Sequence, residues 1–381
     1  MNTTTADFIV IGAGIAGASA AYELAQDGKV ILLEKENWLA YHSTGRSAAI
    51  FMETYGNRTV RGLTMGSSDF YANPPEGFSQ SPLMHPRGAL FLATDEQNDL
   101  LRRQFDDMKE YVDDLSFVQG DEIRELVPIL NTDLLTAGIY EKNAKDLEAH
   151  EIHQGYIKGL ARQGGRLVTG CQVSDIAHKN DQWHVATSAG EFVAPVIVNA
   201  AGAWADEVAA MAGVRTIGLE AKKRTVFFIP VDQCDISNWP YAGDISETFY
   251  FKPDAGKLFV SPCDEIPVVP CDAKPSDLDV TKAISSLEIV TNLEVKAVDH
   301  SMAGLRSFVA DRSPVVGEDG KMKNFIWLVG QGGYGFQTAP ALARCCRALA
   351  TGAAFPADLI ELGVEQLALS PERISLERSQ S

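Results

Sequence analysis

The sequence predicts an α/β chain: a parallel-sheet domain, discontinuous along the chain, interrupted by a mixed and largely antiparallel β insertion. Three observations carry that prediction. The apolar run Phe8-Ile9-Val10-Ile11 ends at Gly12, a helical pattern follows, and Val30-Ile31-Leu32-Leu33 is a second apolar run, which together make a βαβ unit. Apolar strands return much later, at Ala194 to Asn199 and Phe325 to Val329, and each runs into a turn of small residues. Between them, Arg224 to Pro230, Thr248 to Lys252 and Lys257 to Pro262 alternate apolar with polar, as antiparallel strands do.

Size and composition fit this division. With 381 residues the chain exceeds one ordinary domain, and 45% hydrophobic against 22% charged residues supplies a true core. Lys and Arg number 33 against 51 Asp and Glu, a net charge of −18, so the surface repels nucleic-acid phosphates and anionic lipid. No apolar run approaches the roughly 20 residues that cross a bilayer. The start, MNTTTAD, has neither the basic opening nor the apolar middle of a secretory signal, and a cytoplasmic protein is expected. The six cysteines, Cys171, Cys234, Cys263, Cys271, Cys345 and Cys346, form no CxxC pair and no metal-type spacing with histidine. They read as reduced thiols, Cys345 and Cys346 as packing residues of a helix, and no metal is expected.

In chain order, the first helix places Ala16, Ala20, Leu24 and Ala25 on one face and stops at Gly28. Tyr41 to Gly56 is a Gly/Ser/Thr-rich loop that enters a helix. Asn73 to Gly88, with Pro74, Pro75, Pro82 and Pro86, is irregular and marks the passage into the insertion. Gly88 to Thr94 and Gly138 to Tyr140 are strands there. A helix over Ile152 to Gln163 leads to strand residues Gly165 to Val168 and Val173. A helix over Ser285 to Val295 comes before Phe325, and another over Ala339 to Thr351 follows Gly330 to Gly335. Glu372 to Ser381 reads as a solvated tail. The implied boundaries are 1–75, 146–218 and 301–370 for the parallel-sheet domain, 76–145 and 219–300 for the insertion, and 371–381 for the tail.

Chemistry enters with Gly12-Ala13-Gly14-Ile15-Ala16-Gly17. Gly12 permits a sharp turn, Gly14 lets backbone N–H groups approach a pyrophosphate, and Gly17 lets the helix sit close to the strand. The helix N-terminus then offers unpaired donors to phosphate. Glu34 closes the second strand 20 residues beyond Gly14, where an acid accepts hydrogen bonds from an adenosine ribose. This is a Rossmann-like dinucleotide site, and from these residues alone NAD or FAD serves. Tyr41-His42-Ser43-Thr44-Gly45-Arg46-Ser47-Ala48-Ala49 adds a second small-residue loop with hydroxyls and a guanidinium suited to a pyrophosphate. That second approach favours FAD; a solvated loop with a satisfied Arg46 is the alternative, and His42 is taken as a structural donor.

The sequence resembles the flavin-dependent D-amino acid oxidase (DAO) superfamily, which includes glycine oxidase and sarcosine oxidase, and looks most like the bacterial D-arginine dehydrogenase type. FIVIGAGIAG, YHSTGRSAA, TYGN, HQGY, VIVNAAGAWAD, FYFKPDAG, AGLRSFVADRSPVVG and WLVGQGGYGFQT carry the resemblance from Phe8 to Thr338. It implies a Rossmann-like FAD-binding domain with a glycine-oxidase-like substrate domain, and non-covalent FAD. It places Gly12, Gly14, Ile15, Ala16, Gly17, Glu34, Lys35, His42, Ser43, Thr44, Arg46, Ser47 and Ala48 on the cofactor. Val173 would contact the adenine. Ala200, Ala201, Gly202 and Trp204 would lie along the dinucleotide, and Gly332, Gly333, Tyr334, Gly335, Gln337 and Thr338 would bring the second Gly-rich turn to the flavin. It also implies that Arg306 takes a substrate carboxylate as a bidentate pair while touching the cofactor; a structural pair with Asp311 is the alternative. Tyr250 matches a phenol on the same carboxylate, with a core tyrosine as the alternative, and Tyr55 matches a wall residue near the amine.

The sequence departs from the arginine type where a glutamate receives a guanidinium: Ala89 stands there, and Ile50 replaces a histidine. An Ile50/Ala89 pocket beside Gly333 suits a neutral or apolar side chain, because removing one buried charge partner costs a few kcal/mol. The resemblance therefore implies oxidation of a D-amino acid to its imine by hydride transfer to the flavin, with oxygen or a quinone as the final acceptor. An N-alkyl amino acid such as sarcosine is an alternative substrate. A 2-hydroxy acid is another, requiring His85 or His300 as base, and a flavin-binding subunit of a larger redox complex is a further alternative.

Overall fold

The structure, a computed structural model, describes residues 3–374. A six-stranded sheet lies at its centre, in the order Arg166–Val168, Val30–Leu33, Phe8–Ile11, Val196–Asn199, Phe325–Val329 and Val315–Glu318. The first five run parallel and the last is antiparallel. Its four inner strands are buried at every residue, which is why they read as unbroken apolar runs rather than alternating ones. Ile15–Leu24 and Gly335–Thr351 cover one face, where Ala20, Ala21 and Leu24 share a core with Ala341, Leu342, Cys345 and Cys346. The other face is covered by a four-stranded sheet, Thr3–Thr5, Gly190–Ala194, Gln182–Thr187 and Val173–Lys179, with Trp183 and Phe192 in the interface.

The insertion is a large mixed sheet running Ile266–Val268, Glu220–Ile229, Lys257–Ser261, Tyr250–Asp254, Tyr241–Asp244, Ala89–Ala93, Ala137–Glu141 and Leu115–Gln119. Its one parallel contact joins Tyr241–Asp244 to Ala89–Ala93. The strand His300–Phe308 pairs with Glu220–Ile229 along its whole length. Residues 301–308 therefore hydrogen-bond to the insertion, although the sequence boundaries assign them to the parallel-sheet domain.

Other differences have local causes. The helix expected from Ser285 begins earlier, at Asp277–Val290, because the Ser276 side chain accepts from the Asp279 N–H and caps it. Within the irregular Pro-rich segment, Met84–Pro86 forms an outer strand of a small sheet with Lys145–Leu147 and Ile50–Phe51, a position that tolerates proline. Within the expected tail, Glu372 is exposed but Arg373 and Ile374 are buried. Arg373 donates from Nε to Asp311 Oδ2 at 2.7 Å, and Ile374 is buried in the core beneath the central sheet. Arg373 is thus recruited by a partner 62 positions upstream, and Ile374 by the apolar core. The rest of that segment, 375–381, lies outside the described residues.

Candidate active site

A cavity of about 380 Å³ runs along the C-terminal ends of the central strands, the usual place for a ligand in a sheet of this topology. At one end is the first Gly-rich turn. Gly12 has φ +100°, and a Cβ there would sit 2.5 Å from the Ala200 carbonyl oxygen. A Cβ at Gly17 would sit 1.8 Å from the Gly12 carbonyl oxygen, so the helix reaches the strand only without side chains. Gly14 occupies the helix N-cap with no side-chain cap, which leaves backbone donors facing the cavity. Glu34 accepts from the Ala13 N–H at 2.8 Å and the Glu36 N–H at 2.9 Å, which fixes its carboxylate at the cavity wall. His153, buried on Ala149–Arg162, donates from Nε2 to the Ala13 carbonyl at 2.8 Å.

The loop after Glu34 divides its duties. Thr44 Oγ1 accepts from the Ile15 N–H at 3.0 Å, and Ser43 donates to the Leu305 carbonyl at 2.5 Å. Arg46 lines the cavity and also binds protein partners. Its Nη1 donates to the carbonyls of Ala303 at 2.7 Å and Ala273 at 3.0 Å, and its Nη2 meets Asp272 at 2.6 Å. The guanidinium expected on a pyrophosphate thus ties the loop to the strand that carries Arg306, because three protein acceptors saturate one fork of it. His42 meets Glu36 at 2.9 Å, as a structural donor would, beside Trp204, whose ring lies 3.4 Å below the Lys35 ammonium. Val173, Ala200, Ala201 and Gly202 complete this wall.

At the other end a smaller chamber opens beside the main cavity. Ser47, Ala48, Tyr250, Arg306, Gly333 and Phe336 line both, and Ile50, Met52, Tyr55, Tyr241 and Gln337 line the chamber alone. Arg306 donates from Nη1 to the Tyr55 hydroxyl at 3.2 Å. Among the described residues it meets no carboxylate, because Asp311 is taken by Arg373. The Arg306 guanidinium lies flat against the second Gly-rich turn: a Cβ at Gly333 would be 2.7 Å from its Cζ. Tyr250 is stacked against Tyr241 with centroids 5.2 Å apart. Burial raises the pKa of both Tyr55 and Tyr250, so both phenols keep their protons and can donate.

Most of the expected residues come together here; four do not line either cavity. Gly17 acts through packing, Ala89 is fully buried behind Ile50, Tyr334 meets Tyr55 edge to face with centroids 5.0 Å apart, and Thr338 bonds back to the Tyr334 carbonyl. Of the two histidines needed as base for a 2-hydroxy acid, His85 faces Glu148 at the surface and His300 stacks on Phe228, both outside the cavities. Sequence reasoning overlooked His153, Met52, Tyr241 and Gln331. Gln331 sits in the Gly-rich turn already singled out; its Nε2 is buried without a protein partner on the wall of the main cavity. An orphan donor, a turn whose Gly12 and Gly17 exclude a Cβ, and a helix N-terminus at the cavity wall whose first N–H is met by Thr44 together suit an elongated dinucleotide.

Comparison with known proteins agrees. The sequence matches the family described as DAO, FAD dependent oxidoreductase, over residues 7–349. It is 26% identical to mitochondrial dimethylglycine dehydrogenase of Rattus norvegicus across 94% of this chain, but spans only 44% of that protein. The fold superposes on L-proline dehydrogenase from P. horikoshii with a TM-score of 0.83 at 21% identity, covering 99% of both chains. It superposes on glycine oxidase from Geobacillus kaustophilus with a TM-score of 0.82 at 19% identity, covering 95% of this chain and 99% of that one.

Proposed function

The chain belongs to the DAO family of FAD dependent oxidoreductases, and on that footing we propose that it oxidises the Cα–N bond of an amino acid with a neutral or apolar side chain, a D-amino acid in the first reading. FAD is the cofactor of the family, and the Gly12–Gly17 turn, Glu34, Thr44 and the Gly332–Gly335 turn would hold it. When bound, it supplies the acceptor for the hydrogen and electron pair that leave Cα. The chain's own work is binding and orientation. The observation that carries the reading is Arg306: a guanidinium without a carboxylate partner, beside Tyr55 and Tyr250, at the junction of the two cavities. A planar fork there takes a carboxylate in two parallel hydrogen bonds, and the protonated phenols add donors to the same group.

Fixing the carboxylate fixes Cα, which is worth several kcal/mol of barrier through orientation alone. The amine must arrive uncharged, and no side chain of the chamber is placed as a dedicated base. The imine then hydrolyses in water to a 2-oxo acid and ammonia. Ile50, Met52, Tyr55 and Tyr241 bring no charge to the chamber, which supports an apolar side chain and argues against arginine. A second reading, an N-alkylated amino acid, is favoured by the likeness to dimethylglycine dehydrogenase.

The test is anaerobic bleaching of the yellow protein with a panel of D- and L-amino acids, N-methyl amino acids and 2-hydroxy acids, which needs no choice of electron acceptor. Neutral D-amino acids or N-methyl amino acids should bleach it and D-arginine should not. Arg306→Met should raise the KM of the best substrate by about two orders of magnitude, as loss of a bidentate charged contact does. An unchanged KM removes Arg306 from the carboxylate.

A further inference from the structure

A buried carboxyl lies one layer behind the chamber and takes no part in the reading above. Glu141 ends the strand Ala137–Glu141, is 1% exposed, and lines neither cavity. Its register partners on either side are Ala89 and Leu115, so the sheet gives it no hydrogen-bonding side chain. It turns to the segment that leads into Tyr55: Oε1 accepts from the Glu53 N–H at 2.8 Å, and Oε2 accepts from the Thr54 hydroxyl. From the opposite side Arg61, held by Asp107, donates to the Thr54 carbonyl at 3.0 Å. Residues 53 and 54 are therefore clamped between a carboxylate and a guanidinium, and the next side chain is the one that meets Arg306.

We infer that Glu141 is a positioning residue for substrate: by holding residues 53 and 54 it places the Tyr55 hydroxyl against Arg306. The inference rests on the carboxylate reading of Arg306. A buried carboxyl with no other task is expensive to keep, and a clamp on a binding tyrosine gives it one. Burial lifts its pKa from 4.5 to about 7, against the two hydrogen bonds that favour the charge. The charged groups around it are Glu53, which opposes its ionisation and faces Lys145, and the Arg61–Asp107 pair beyond Thr54. The ionised form accepts both bonds strongly and the protonated form gives up part of one, so the clamp tightens as pH rises through 7.

Benzoate, a carboxylate with no hydrogen to surrender, reads this out through the flavin absorbance of the holoenzyme. Glu141→Gln should weaken benzoate about tenfold, the usual effect of losing one buried hydrogen bond, and should abolish the rise in affinity between pH 6 and 8. Tyr55→Phe should weaken it similarly, and the double variant no further than Tyr55→Phe alone, since both act through one hydroxyl. Thr54→Val removes the same clamp from the other side and replaces Glu141→Gln if that variant does not fold. Wild-type affinity in Glu141→Gln, or effects that multiply in the double variant, overturns the inference. If Arg306→Met binds benzoate as well as the wild type does, the carboxylate reading fails by itself. A crystal structure of the Glu141→Gln holoenzyme then decides: Tyr55 displaced from Arg306 sustains the inference, and Tyr55 still 3.2 Å away ends it.

Discussion

At the Gly12 turn a single methyl group is already too much, whereas at the Tyr55 end side chains from separate stretches of chain meet around open space. The first region presents backbone to the cavity: the glycines exclude side chains, Glu34 is fixed by two N–H groups, and His153 braces the turn from behind. The second presents side chains, Tyr55, Tyr250 and Arg306, each brought in by a different element and, on the proposed function, the groups that would take a substrate carboxylate. Backbone recognition tolerates nothing and carries over to any partner of the same dinucleotide. Side-chain recognition tolerates change, and that is where specificity can be altered without losing the fold.

The contrast is broken most severely by Gly17→Ala. The added methyl would lie 1.8 Å from the Gly12 carbonyl oxygen, backbone against backbone, with no flexible atom to give way. Overpacking costs about 1–3 kcal/mol where side chains can relax, and here they cannot. Purified Gly17→Ala should be colourless, measured as the ratio of flavin to protein absorbance; a full yellow ratio would show that this end is as tolerant as the other.

Glu141 sharpens the comparison at the tyrosine end. Its carboxyl titrates near 4.5 in the unfolded chain and at about 7 in the folded one, with burial as the main cause. The folded state holds the extra proton between those values, so stability from this group is complete below pH 4.5 and is lost as pH rises through 7. The loss corresponds to roughly 3 kcal/mol. Urea denaturation of wild type and Glu141→Gln at pH 5 and pH 8 should show the variant gaining by about that amount at pH 8 relative to its standing at pH 5. A parallel pH dependence in the two proteins would mean that Glu141 titrates in the fold as it does in the unfolded chain. The substrate end would then lack the strained charge that distinguishes it.

The same division explains what the sequence could and could not reveal. The turn was legible because its rule is local: three glycines, an acid twenty residues on, and a strand on either side determine it within one βαβ unit. Tyr250 and Arg306 could be singled out only through resemblance, since nothing near Arg306 says that Asp311 will be claimed by Arg373, 62 positions further on. Glu141 gave no signal, because its role is defined by the main chain of residue 53, which reaches it only through the tertiary fold. Arg46 was legible only in part: beside hydroxyls and glycine it suits a phosphate, and the local sequence does not show that, while lining the cavity, it also donates to the carbonyls of Ala273 and Ala303.

Arg46 supplies the smallest of the expected effects and the finest test of the contrast. Its guanidinium straps residues 272 and 273 to the Ser43–Arg46 loop, and Tyr41 reaches the same Asp272 from its hydroxyl at 3.2 Å. Two of the three acceptors on Arg46 are main-chain carbonyls that a substitution cannot remove, and Asp272 is substantially exposed, so solvent screens the remaining ion pair. Exposed pairs of this kind contribute about 0.2–1 kcal/mol. Asp272→Asn should therefore speed flavin release by no more than about fivefold, followed as the recovery of free-flavin fluorescence after dilution, and only at low salt. A release rate raised a hundredfold would mean that side chains, and not the glycine backbone, retain the dinucleotide.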